Sequence, residues 1–159
     1  LRVGFATGSS VLEQYANPSV MRIVELRRKV GNECHHFREF ARFESLNGSV
    51  YVSHLEPKSD VIMLVGRHFA DRMPSEHWMI IDDKRKIACI HPKDGTNYLR
   101  YLTDEEFDTL RKTEEYTDTY TDLWKTFFHA VGIKERENYI CQRNLFPKWK
   151  RKHAVEFRK

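Results

Sequence analysis

Cysteine is scarce in this chain. Cys34, Cys89 and Cys141 stand far apart, odd in number and without a CxxC pair. That pattern excludes a disulfide framework or a zinc ribbon, suits a reducing cytoplasm, and leaves all three as small buried hydrophobes. Long apolar runs are missing as well. Nothing approaches the roughly 20 apolar residues that cross a bilayer, and no signal peptide is visible, so no membrane partner is expected. There is no internal repeat and no low-complexity segment. GxGxxG, Walker, GxSxG and HExxH patterns are all absent, which removes the common nucleotide, hydrolase and zincin signals and leaves no cofactor to expect.

What is present is enough for one compact domain. The 159 residues are 40% apolar, which supports a core over residues 1–146, with a basic tail at 147–159. A chain beginning at Leu1 rather than Met reads as a fragment or a processed product. The net charge of +4 hides a polarity along the chain. Residues 101–122 hold eight acids against Arg111 and Lys112, whereas 133–159 hold nine Lys/Arg against Glu135, Glu137 and Glu156. The basic end suits phosphate backbones, and a solvated tail is its plain alternative.

Periodicity gives the order of elements. Asn17-Pro18 caps a helix whose stripe is Ile23, Leu26, Val30, Cys34 and Phe37. The pattern then shifts to period two across Asn47-Gly48, a hairpin signal. A two-residue turn there would set Leu46 opposite Ser49 and Phe43 opposite Val52, with Phe43, Val50 and Val52 on the core face and Arg42 on the other. Ser59 or Asp60 caps a second helix with the stripe Val61, Leu64, Val65, His68 and Phe69. Trp78-Met79-Ile80-Ile81 and Ile87-Ala88-Cys89-Ile90 form a second hairpin, and Tyr98 to Leu102 adds a further strand. Thr103-Asp104-Glu105-Glu106 is a capping box for an acidic helix, followed by an apolar helix over Tyr120, Leu123, Trp124, Phe127, Phe128 and Val131. The expected fold is α+β: an antiparallel sheet of two hairpins, four to five strands, covered by helices in the order helix-hairpin-helix-hairpin-helices.

Candidate chemistry gathers in a few stretches. His35 and His36 are adjacent, and adjacent helical residues point about 100° apart, so they cannot share one ion. A metal would need His54, His68 or distant carboxylates brought in by the fold, and none is expected. Glu33 sits at the margin of the apolar stripe, where a carboxylate needs a cation or several donors; Arg42 and Arg38 are candidates. Glu56 to Asp60 ends a strand and opens a helix, a place that favours an anion. Arg136 and Arg143, seven apart, would share a helical face toward phosphates, and Trp149 among Lys148, Lys150 and Arg151 could stack on a base.

An ordered set of residues carries a family resemblance. It comprises Gly4-Phe5, Val30, Glu33, His35, Phe37, Phe40, Arg42-Phe43, Glu56-Pro57, Asp60, His68-Phe69-Ala70, Arg72, Trp78, Ile80, Asp82, Glu135-Arg136, Asn138 and Gln142-Arg143. In these positions the chain resembles the bacterial "probable DNA metabolism protein" family, a domain of unknown function also found fused to uracil-DNA-glycosylase-like domains. His36, Arg38, Glu39 and Leu55 depart from its pattern, as does the stretch after Pro147. A helical segment that members carry before Gly4 is not in this chain. The resemblance implies a role in DNA repair or modification beside a radical-SAM DNA-repair protein or a glycosylase domain, with no established reaction.

Three functions follow as expectations. The first is a nucleic-acid-associated accessory domain with DNA as partner, contacting phosphate through Arg42, Arg136, Arg143, Lys148, Trp149, Lys150 and Arg151. The second is an enzyme on nucleic acid or a modified base, using Glu33, His35, Glu56, Asp60 and Arg42 in one cleft. The third is a protein-interaction scaffold built on the acidic and basic segments.

Overall fold

The computed structural model describes residues 8–46, 48–113, 123, 126–127, 130, 138–154 and 157. After a 3-10 turn at Gly8–Glu13, helix α1 runs Pro18–Phe40. Its start is set by Asn17, whose side chain accepts from the Ser19 N–H at 3.0 Å, with Pro18 in the first turn. The apolar stripe is buried only toward its C-terminal end. Cys34 and Phe37 are both 5% exposed, whereas Ile23 is 55% and Leu26 45% exposed.

Five strands follow in spatial and sequential order: β1 Glu44–Leu46, β2 Val50–Leu55, β3 Trp78–Asp82, β4 Ile87–His91 and β5 Tyr98–Tyr101. Both hairpins form and are antiparallel. They join along β2 and β3, which run parallel, because helix α2 (Ile62–Arg72) carries the chain back before β3 begins. The sheet is therefore mixed rather than wholly antiparallel.

The first hairpin also corrects the expected register. Leu46 pairs with Val50, Ser45 with Tyr51 and Glu44 with Val52, so three residues (47–49) connect the strands. Ser49 belongs to the turn and donates its N–H to Leu46 O, while Gly48 takes φ +71°. A slip of one residue exchanges the faces of β1. Leu46 thus joins Val52 and Val50, and Phe43 goes to the opposite side.

Each side of the sheet has its own core. Leu55, Trp78, Ile80 and Cys89 pack against Cys34 and Phe37 of α1 and Ile62, Val65 and Phe69 of α2. On the other side, Val52, Ile81 and Ala88 meet Phe107 of α3 (Asp104–Thr113). The expected capping box opens α3: Thr103 N–H donates to Glu106 Oε2 at 3.0 Å, and Glu106 N–H to Thr103 Oγ1 at 3.2 Å. Gly66 lets α2 lie close on β4, since a Cβ there would collide with Cys89 Sγ.

Near the end come α4 (Tyr139–Leu145) and a 3-10 helix, Lys148–His153. The latter packs beside β2, with Phe146 stacked on Phe40 at a centroid distance of 4.1 Å. This part of the basic segment is docked rather than a solvated tail. The apolar helix expected over Tyr120 to Val131 lies outside the described residues, isolated positions apart. Among the described residues no helix is long and apolar enough to cross a membrane.

Candidate functional site

Three polar arrangements surround the C-terminal half of α1. The first occupies the turn between β2 and α2. Glu33, 8% exposed, accepts from Lys58 N–H at 2.7 Å and from Ser59 N–H at 2.9 Å, one on each carboxylate oxygen. The strand-to-helix turn was expected to favour an anion, and it does; the anion is the protein's own. The expected Glu33–Arg42 pair does not form. Arg42 Nη1 instead donates to Glu39 O at 3.4 Å and Ala41 O at 3.3 Å. Asp60 is exposed and does not cap α2, whose N-cap, Val61, has no side-chain cap bond.

The second arrangement is an open groove between the ends of α1 and α2, lined by His35, Arg38, Glu39, Ala41, Arg42, His68, Phe69 and Arg72. Both helices terminate here, and their C-terminal dipoles favour cations. Arg38 is steadied by donating from Nη2 to Leu64 O at 3.1 Å. His35 Nε2 lies 3.1 Å from Glu39 Oε1. Partial burial holds the His68 pKa below its ordinary 6.5, and the positive charges of Arg38 and Arg72 lower it further, against a smaller opposing effect of Asp71. Three arginines line the groove against one acid, Glu39, and offset the negative ends of the two helix dipoles.

The third arrangement is more enclosed. His54 at the end of β2 places Nδ1 2.7 Å from Asp83 Oδ1, with both side chains buried. The His153 ring stacks over that of His54 at 6.0 Å, and its Nε2 stands 3.6 Å from Asp83 Oδ2 and 3.9 Å from Glu56 Oε1. Lys152 Nζ also contacts Glu56 Oε1. Beside it lies a cavity lined by residues including Phe40, Arg42, His54, Glu56, Phe146 and His153. Among the described residues, Glu56, Asp83 and His153 have one ligand atom each within 4.8 Å of the others and could hold a metal ion.

These cavities divide the residues named from sequence. His35 and Arg42 line the groove, and Glu56 and Arg42 line the enclosed cavity. Glu33 and Asp60 line neither, so the five proposed for a single catalytic cleft do not all meet in either one. Arg143 and Lys148 are exposed, and Arg151 lies over the Phe157 ring at 4.6 Å. Arg136 and the side chains of Trp149 and Lys150 lie outside the described residues. Sequence reasoning missed Arg38 and Arg72 as groove residues, although basic residues in the last turns of two helices were a usable signal. It also missed Asp83 and His153, which no local pattern links.

Two of the three cysteines meet expectation. Cys34 and Cys89 are buried, whereas Cys141 is exposed. Burial pushes the Cys89 thiol up to about 11. Burial also raises Cys34, with Arg38 partly opposing it.

The chain belongs to a family described as a domain of unknown function (DUF4130), which matches residues 1–156. No curated protein and no solved structure matches it.

Proposed function

We propose that this domain binds the phosphate backbone of nucleic acid, DNA first, in the groove between the ends of α1 and α2. It serves as an accessory domain in DNA metabolism in the cytoplasm. A radical-SAM repair protein or a glycosylase-like domain is the partner class that the family resemblance suggests. One observation carries the reading: Arg38, Arg42 and Arg72 converge on one open groove. Burial is the main cause of the lowered His68 pKa, but Arg38 and Arg72 lower it further, and the same charges would attract a phosphate. Phosphate contacts of this kind position a duplex or a single strand without reading sequence. Arg42, named from sequence for this role, is one of the three. Arg143 and the basic residues of the C-terminal segment would extend the track.

Fluorescence anisotropy with single- and double-stranded oligonucleotides, repeated from about 50 to 200 mM salt, tests the proposal. Affinity should fall steeply with salt. The triple variant Arg38→Ala/Arg42→Ala/Arg72→Ala should bind at least about tenfold more weakly, with a slope smaller by roughly one unit per lost phosphate contact. No binding at low salt, binding indifferent to salt, or an unimpaired triple variant would refute it.

A further inference from the structure

Away from the groove, the histidine–carboxylate network gathers three side chains able to ligate a metal. We infer that Glu56, Asp83 and His153 form a site for a divalent first-row metal ion of the zinc type. His153 Nε2 stands 3.6 Å from Asp83 Oδ2 and 3.9 Å from Glu56 Oε1, beyond hydrogen-bond range. Two ligands bound at about 2.1 Å to one tetrahedral ion stand about 3.4 Å apart, so the Asp83 separation nearly suits a shared ion, and the partly exposed Glu56 must draw in by about half an ångström to join it. One imidazole with two carboxylates is a donor set that zinc accepts, and manganese or cobalt would compete for it.

The surroundings are those of a built site. Asp83 is 7% and His153 12% exposed at the side chain, so two of the three donors sit largely out of water, while Glu56 is 37% exposed. Asp83 offers Oδ2 to the ion while its Oδ1 contacts His54 Nδ1 at 2.7 Å, the kind of outer partner that orients a ligating carboxylate. His54 is buried, its Nε2 has no hydrogen-bond partner, and it lines the same cavity as Glu56 and His153. That nitrogen is a buried polar atom still without a partner in a small, mostly apolar cavity. Lys152, about half exposed, places its ammonium on Glu56 Oε1. It supplies part of the charge that an ion would supply and must swing into solvent when one binds.

The ligands come from the end of β2, the turn after β3 and the C-terminal 3-10 helix. A bound ion therefore ties that helix to the sheet. Three protein ligands also leave a coordination position for water or a substrate oxygen, as in catalytic rather than closed structural sites.

Titration calorimetry of the full chain with Zn2+, and optical absorption with Co2+, test the site, with thermal melting in parallel. One ion per chain should bind, raise Tm and give the intense visible bands of a near-tetrahedral cobalt site. His153→Gln and Glu56→Gln should weaken binding at least about tenfold, and His54→Gln by a similar factor through Asp83. Lys152→Gln should tighten it a few-fold, an effect that a merely structural ion-pair network would not produce. If Asp83→Asn fails to fold, the variants at the more exposed Glu56 and at His153 decide. Substoichiometric binding, unchanged affinity in both of those variants, or an equal loss in a His77→Gln control, at a residue outside the cluster that accepts from Lys93 N–H, would overturn the assignment. DNA affinity is read separately, so either proposal can fail without the other.

Discussion

Arg42 lines both the open groove and the enclosed histidine–carboxylate cavity, and the two handle charge in opposite ways. In the groove, Arg38 and Arg42 anchor their guanidinium groups on backbone carbonyls, and the basic side chains lining it outnumber its one acid, Glu39. In the cavity, acids and histidines are brought together out of water and compensate one another. Exposed like charges are cheap to keep solvated and serve encounter with an outside anion. Buried groups must be satisfied locally, so their removal is felt by the fold. Stability should therefore report on the buried side and ligand affinity on the groove.

The largest stability effect is expected at Glu33, which supports the turn bearing Glu56. Glu33→Ala deletes two charge-assisted bonds to Lys58 and Ser59 N–H and should cost about 3 kcal/mol in urea unfolding. Glu33→Gln, which keeps an acceptor, should cost less. Next is Gly66→Ala, which forces α2, the carrier of His68 and Arg72, off Cys89. It should cost about 2 kcal/mol, and Cys89→Ala in the same chain should recover most of that.

Alkali gives a third effect. The folded Cys89 thiol holds its proton to about 11, whereas an unfolded one loses it near 9.0. Above that lower value the unfolded chain is favoured by thiolate formation. Cys89 therefore contributes its full share below pH 9.0 and loses it progressively toward pH 11, by up to about 3 kcal/mol. Cys89→Ala should flatten that limb of the denaturation curve. The smallest stability change belongs to the groove: Arg38→Ala or Arg72→Ala should shift unfolding by less than about 1 kcal/mol while weakening DNA several-fold.

The contrast also explains what could be read from the chain. Local signals survived folding: the Asn17-Pro18 start of α1, the Thr103–Glu106 capping box, and both hairpins. Each depends on residues a few positions apart. Asn47-Gly48 announced a turn, but Ser49 joined it, and one residue was enough to invert the faces of β1. The parallel meeting of β2 with β3 depends on how α2 crosses the sheet, which period-two patterns do not encode. Glu33 was recognisable as a carboxylate needing partners. Its actual donors are backbone N–H groups, which have no letter in a sequence. The Asp83–His153 proximity arises only when the C-terminal 3-10 helix docks beside β2.

The groove's claim rests on where an anion binds, and His68 is the reporter already in place. Its imidazole proton resonances, followed through pH in the free protein, should give a pKa below 6.5. With a saturating short oligonucleotide, the neighbouring phosphates should raise that pKa by offsetting Arg38 and Arg72. A His68 titration that DNA leaves unmoved, at concentrations where binding is otherwise complete, would contradict the account.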